Sequence, residues 1–210
     1  MENFDPQKHW ENIYNTKELS EVSWYQPVPS TSLAFVKEFN IPFTAKIIDI
    51  GGGDSFFVDH LLDIGYQDIT VLDISETAIN RAKNRLGNRS GMVKWIVADA
   101  ANFNPAEKYH FWHDRAAFHF LIHEHDIENY IESLQKSLHE NGVVVLGTFS
   151  ENGPTKCSGI EITRYSEESI ATRFSKYFEK IYCIEVDHKT PFETVQNFVF
   201  CCFRKINSNT

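Results

Sequence analysis

Hydrophobic positions along this chain keep two rhythms. From about Lys46 onward, short apolar runs alternate with stretches whose apolar residues recur every three to four positions, as on one side of a helix. The runs predict strands over Lys46 to Ile50, Ile69 to Asp73, Val93 to Ala98, Tyr109 to Asp114, Gly142 to Thr148, Phe178 to Val186 and Gln196 to Arg204. Between them, Phe56, Phe57, His60, Leu61 and Ile64 share one helical face, and Ala78, Ile79, Ala82 and Leu86 share another. Gly65 and Gly87 stand where a helix ends in a left-handed residue. A longer helix is predicted over Asp126 to His139, ending at Asn141-Gly142, and Ser166-Glu167-Glu168-Ser169 opens one more.

Only the turn-like His188-Lys189-Thr190-Pro191 separates the last two strands, which predicts a hairpin. The expected fold class is α/β: a doubly wound, mostly parallel seven-stranded sheet with a C-terminal antiparallel hairpin. Upstream, Pro6 to Tyr14 and Thr31 to Phe39 read as helices on either side of an irregular, aromatic and proline-rich Val22 to Pro29. The chain therefore divides into a short N-terminal helical extension, residues 1–45, and a main domain, residues 46–210.

With 42% hydrophobic and 14% aromatic residues, the 210-residue chain can fill a substantial core. Its apolar runs are too short to cross a bilayer, and Met1-Glu2-Asn3-Phe4-Asp5 lacks the basic and apolar regions of a signal peptide, so a cytoplasmic protein without a membrane partner is expected. A net charge of -9, with no Lys/Arg-rich block, argues against duplex nucleic acid as a partner. Cys157, Cys183, Cys201 and Cys202 show no CxxC spacing, and Cys183 and Cys201 sit in apolar runs as small hydrophobes, so neither a disulfide framework nor a zinc site is expected.

The chemistry concentrates at Lys46-Ile47-Ile48-Asp49-Ile50-Gly51-Gly52-Gly53-Asp54-Ser55, where a strand runs into a glycine turn and then a helix. Glycines there let a ligand approach the main chain closely. A dinucleotide fingerprint would need a third glycine where Phe56 stands, whereas acidic-x-Gly-x-Gly-x-Gly/Ser is matched by Asp49, Gly51, Gly53 and Ser55. Asp73 ends the second strand about 20 residues past the loop, and Asp99-Ala100 follows the third. Taken singly, each aspartate is equally at home ending a strand or capping a helix. As an ordered set they point to a bound cofactor.

On those residues the chain resembles the class I S-adenosylmethionine-dependent methyltransferases, from Ile47 to Arg204. The resemblance implies S-adenosyl-L-methionine as cofactor, with S-adenosyl-L-homocysteine as product. It places Asp49, Gly51, Gly52, Gly53 and Ser55 around the amino acid portion, Asp73 on the ribose diol, Ile74 on the adenine face, and Asp99 with Ala100 on the adenine edge. Gly52 stands where many relatives carry cysteine or threonine. The fourth strand delivers His113-Asp114-Arg115 beside the methyl group, making Asp114 the leading catalytic, substrate-orienting or cofactor-contacting residue, with His113 and His119 as accessories. Asp114 and Arg115 could equally form a structural ion pair or a helix cap.

Trp10 with Tyr14, Val22 to Tyr25, and His113 to His119 look like a bacterial branch similar to the citrate synthase and elongation-factor lysine methyltransferases. Those carry Asp-Lys-Gly-Thr-Phe-Asp where this chain has Asp114 to His119, so their second aspartate is missing. The expected acceptor is a nucleophile on a small molecule or a protein amine. A non-catalytic cofactor-binding partner and a nicotinamide-dependent oxidoreductase remain as alternatives. His9-Trp10 and Ser23-Trp24-Tyr25-Gln26 form either a lid over the site or plain packing against the sheet. His119 and His123 have an i, i+4 spacing without a third ligand, so no metal is expected. In the polar loop from Phe149 to Tyr165 and beyond, Arg164, Tyr165, His188 and Gln196 either shape a substrate pocket or support the hairpin. The oligomeric state, monomer or dimer, is left open.

Overall fold

The computed structural model describes residues 4–206. The chain opens with α1 (Pro6–Thr16), capped by the Asp5 carboxylate, and α2 (Ser30–Glu38), with a mostly irregular aromatic stretch between them. Then β1 (Lys46–Ile50), α3 (Phe57–Asp63), β2 (Asp68–Asp73), α4 (Glu76–Leu86), β3 (Val93–Val97) and β4 (Tyr109–Arg115) follow in strict alternation up to β3. After α5 (Glu124–Ser137) and β5 (Leu138–Phe149) come a two-stranded ribbon, β6 (Lys156–Cys157) and β7 (Ile160–Glu161), then α6 (Glu167–Phe174), β8 (Phe178–Lys189) and β9 (Val195–Lys205).

Seven strands form one sheet in the order β3-β2-β1-β4-β5-β9-β8, parallel from β3 through β5, with β9 antiparallel to both neighbours. This is the doubly wound sheet and terminal hairpin that the hydrophobic pattern predicts. The predicted longer helix starts two positions earlier than expected and stops at Ser137, because Leu138 to Gly142 already extends toward β4 as the start of β5. The hairpin also corrects the cysteine reading: its register sets Cys183 opposite Cys201, and the two are disulfide-bonded. β8 is an edge strand with a bulge between Lys180 and Tyr182. Among the described residues, no helix is long and apolar enough to cross a membrane.

Because side chains alternate across a strand, parity assigns each residue to one of two cores. Ile47, Ile69, Val71, Phe111, Val143, Val145, Phe198 and Phe200 pack with α2, α3 and α4 on one face. Ile48, Ile50, Trp112, Val144, Leu146, Val199 and Phe203 pack with α5 and α6 on the other. Along β4 the first face thus receives Phe111, and the second receives Trp112 and Asp114.

Asp114 is fully buried on that second face. It accepts from the amides of Ala117 (2.9 Å) and Phe118 (3.2 and 3.1 Å) and from the Tyr130 hydroxyl (2.8 Å), which itself accepts from Trp112 Nε1 (2.9 Å). Burial pushes the Asp114 carboxyl up to about 6 against these donors. The expectation of a catalytic Asp114 is corrected accordingly: its carboxylate caps the turn after β4 and faces away from the cavity described below. His119 is corrected on the same ground. Its ring is fully buried, Nδ1 accepts from the Phe149 amide (3.2 Å), and burial beside Arg115 lowers it to about 3, so it stays neutral.

Truncating Asp114→Ala strands three buried donors and is expected to cost about 3 kcal/mol, with Tyr130→Phe costing about 1 kcal/mol. Urea denaturation measures both. An unchanged midpoint for Asp114→Ala would restore this residue as a candidate for chemistry.

Candidate active site

In parallel sheets the crevice lies beyond the carboxyl ends of the strands, where the order turns back, here between β1 and β4. A cavity of about 860 Å³ opens there, within the upper range for small-molecule sites. Asp49, Gly51, Gly52, Ser55, Asp73, Ile74, Asp99, Ala100 and His113 all line it, as do Trp10, Tyr14, Trp24 and Phe120 from above. Asp114 and His119 do not.

The glycine loop threads between two carboxylates. A Cβ on Gly52 would stand 2.5 Å from Asp49 Oδ2, and one on Gly53 would stand 2.6 Å from Asp73 Oδ2. Gly51 and Gly53 also have positive φ, 65° and 36°, which glycine adopts at little cost. The Gly52 amide donates to Leu72 O (3.1 Å) and the Ser55 amide to Gly52 O (2.7 Å), while Ser55 Oγ accepts from the Phe57 amide (3.1 Å). Ser55 thus serves the start of α3 as well as the cavity wall.

Each carboxylate has a distinct setting. Asp49 is buried, and its Oδ1 accepts from His113 Nδ1 (2.7 Å), whose Nε2 in turn accepts from the Ser32 hydroxyl (2.8 Å). Both ring nitrogens of His113 are therefore committed, which makes it a positioning residue for Asp49. Asp73 Oδ1 accepts from the Ser75 amide (2.8 Å), and its Oδ2 has no protein donor among the described residues. Burial pushes the Asp73 carboxyl up to about 7, with Asp49 and Glu11 adding to the shift and the Ser75 and Ile74 amides opposing it. Asp99 accepts from the Ala101 amide (2.9 Å) and Asn102 Nδ2 (3.2 Å), so it shapes a tight turn at the cavity rim.

Residues that the sequence pattern did not single out hold this geometry. Arg85 pairs with Asp54 and Asp59, donates to Ser55 O (2.8 Å) and covers the Phe56 ring at 4.2 Å. Arg81 pairs with Asp54 (2.8 Å) and caps α1 by donating to Tyr14 O (3.0 Å) and Lys17 O (2.8 Å). Glu11 of α1 accepts from the Glu76 and Thr77 amides at the start of α4, at 2.6 and 3.2 Å. Asp54, Arg81 and Arg85 lie one helical turn apart or close in sequence to the loop, the signal that could have revealed them.

The remaining candidates divide between wall and frame. His123 and Gln196 line the cavity, while His119 and His123 share no helix, because His119 lies in a 3-10 turn and His123 caps α5. No group of three His, Cys, Asp or Glu side chains suited to a metal occurs among the described residues. Cys157 lines the cavity, and burial pushes its thiol up to about 11. Arg164 braces the preceding loop through Glu151 O (2.5 Å), and Tyr165 is buried in the second core.

The loop, too tight for any Cβ, and the unpartnered oxygen of Asp73 fit a ligand carrying an ammonium and a ribose diol, as in S-adenosylmethionine. Phe56, held beneath Arg85, fills the place where a dinucleotide site needs its third glycine. A family model described as a methyltransferase domain matches residues 47–142. The eEF1A lysine and N-terminal methyltransferase of Mus musculus is 31% identical over 96 residues, covering 46% of this chain but only 14% of that protein. EEF1A lysine methyltransferase 2 of Homo sapiens is 23% identical over 188 residues, covering 82% of this chain and 73% of that one. Among solved structures, N-methyltransferase NodS from Bradyrhizobium japonicum WM9, in complex with S-adenosyl-L-homocysteine, shares the fold with a TM-score of 0.73 at 15% identity, over 97% of this chain and 100% of that chain. Sequence match and sheet order agree: residues 47–142 match a methyltransferase domain, and the chain has the fold of S-adenosylmethionine-dependent methyltransferases.

Proposed function

We propose that the protein moves a methyl group from S-adenosylmethionine to a nucleophile on a small molecule or a protein amine that enters the aromatic-walled part of the cavity. The observation that carries this reading is the glycine loop pressed between Asp49 and Asp73, with both carboxylates opening on one cavity. An amine acceptor is supported by the names of the relatives, which include lysine and N-terminal methyltransferases and an N-methyltransferase.

When bound, the cofactor would supply an electrophilic methyl carbon, the electron pair of its bond to sulfur remaining on sulfur and the acceptor's proton passing to solvent. This chain's residues would bind, orient and exclude water. Asp49, fixed by His113, would accept from the ammonium, and Asp73 Oδ2 from the ribose hydroxyls. Ile74, Asp99 and Ala100 would surround the adenine. Trp10, Tyr14, Trp24 and Phe120, whose rings meet edge to face or tilted at 5.1 to 6.2 Å, form a lid that favours a dry, aligned displacement.

Incubating the protein with radiolabelled methyl donor and cell lysate tests the activity. Label is expected in a small-molecule or protein product, and cofactor binding without any label would leave only a binder.

A carboxyl raised to about 7 makes cofactor affinity depend on pH. Below that value Asp73 is protonated and loses part of its acceptor capacity, so affinity for S-adenosylhomocysteine should rise between pH 6 and pH 8. Folding stability of the unliganded protein should run the other way, because the native state binds this proton more tightly than the unfolded chain. That contribution is fully present below the unfolded value near 3.9 and is lost as pH rises through about 7. Asp73→Asn should flatten both profiles and weaken binding by about 1.5–3 kcal/mol. Calorimetric titration and thermal melts across that range check it, and wild-type affinity in the variant would remove Asp73 from the site.

A further inference from the structure

Among the described residues, the carboxylates lining the cavity are Asp49, Asp73 and Asp99, at or just past the ends of β1, β2 and β3, Asp54 after the glycine loop, Asp126 of α5 and Glu161 of β7. Arg115, at the end of β4, is the only arginine or lysine among the described residues that line it. Its guanidinium lies 5.0 Å over the ring of Phe198 on β9, two strands beyond β4 in the sheet.

That guanidinium is underused. Nη1 donates to Trp24 O at 3.1 Å, whereas Nη2 is buried without a partner, and Nε donates to no acceptor among the described residues. Nε and Nη2 form the edge that grips a carboxylate with two parallel hydrogen bonds. No carboxylate of the described residues forms an ion pair with Arg115; burial draws its pKa down to about 10, and the Asp49 charge opposes that shift only in part. Leaving a cation in this setting without a counter-ion costs free energy that a bound anion would offset.

The neighbouring polar groups do not supply that anion. His188 is committed on both sides, donating from Nε2 to Ser23 O (2.7 Å) and accepting at Nδ1 from Gln26 Nε2 (3.2 Å). Gln196, two positions before Phe198, lines the same cavity and has its own buried, unpartnered Oε1. An orphaned donor edge and an orphaned acceptor therefore line the same cavity.

Resting on the methyltransferase reading above, we propose that the methyl acceptor is a small anionic molecule whose carboxylate is held by Arg115, with a hydrogen-bond donor of the same molecule meeting Gln196. The carboxylate is the anchor, because pairing with a guanidinium weakens it as a nucleophile, and the methyl goes to another atom of that molecule. A lysine side chain presented by a protein would bring a second cation toward Arg115 and is disfavoured.

The experiment uses wild type, Arg115→Gln and Arg115→Lys. S-adenosylhomocysteine is titrated into each, and a deproteinised cell extract is split on an anion exchanger into anionic and flow-through pools. Each pool is then incubated with enzyme and radiolabelled methyl donor. Cofactor affinity is expected to stay within threefold in both variants. Label should form at least tenfold faster with the anionic pool than with the flow-through. Arg115→Gln should lose at least tenfold of that rate at dilute extract, recovering as the extract is concentrated, as a binding defect does, and Arg115→Lys should retain part of it. Acceptor activity confined to the flow-through or to macromolecules overturns the proposal, as does an unchanged Arg115→Gln. A tenfold loss of cofactor affinity in Arg115→Gln overturns it too, by assigning the arginine to the cofactor's own carboxylate. Wild type that fails to bind S-adenosylhomocysteine defeats the underlying methyltransferase reading instead, and the wild-type pool comparison stands even where a variant does not fold.

Discussion

The site depends on a steric constraint: a main chain must pass between two buried carboxylates with no room for side chains. Asp49 and Asp73 end adjacent parallel strands, so their separation is set by the sheet, and the loop must fit the gap that remains. Only glycine brings backbone that close to both oxygens. The carboxylates stay oriented because each has one oxygen already satisfied, by His113 and by the Ser75 amide. What is left over faces the cavity.

Around that gap, a set of partly buried charges ties three segments together. Asp54 follows the glycines directly and is gripped by Arg81 and Arg85, both from α4. The same Arg81 closes the end of α1, and Glu11 of α1 closes the start of α4. Partly buried ion pairs of this kind contribute little net stability, since desolvation offsets their attraction. Their effect here is to fix one geometry: the aromatic roof carried by α1 is referenced to the helix that borders the cofactor site.

Much of the architecture was legible because parallel strands buried on both faces read as plain apolar runs, and those of β1 to β4 were placed to within a residue or two. The order of loop, Asp73 and Asp99 was equally plain, since strand ends in this topology converge on one crevice. Side-chain direction was harder. His113, Asp114 and Arg115 are consecutive, yet parity sends the middle one to the opposite core, and a motif position says nothing about which face a residue takes. Long-range partners were also hidden: nothing in the spacing links Glu11 to Glu76, Ser32 to His113, or Cys183 to Cys201, because the sheet register that joins or positions them emerges only in three dimensions. Leu138 and His139 were read as the end of a helix because Leu138 keeps the helical spacing from Leu134, and the polar residues after it carry no period-two signal.

The bulge in β8 bears on how the molecule meets its neighbours. A twelve-residue strand at the border of a sheet offers a row of free amides and carbonyls on which another chain could template itself. The irregularity between Lys180 and Tyr182 breaks the spacing of that row, and Glu179, Lys180, Glu185, Asp187 and Lys189 place charge along it. β-pairing between copies is thereby blunted at its natural starting point, so the sheet ends where the fold ends.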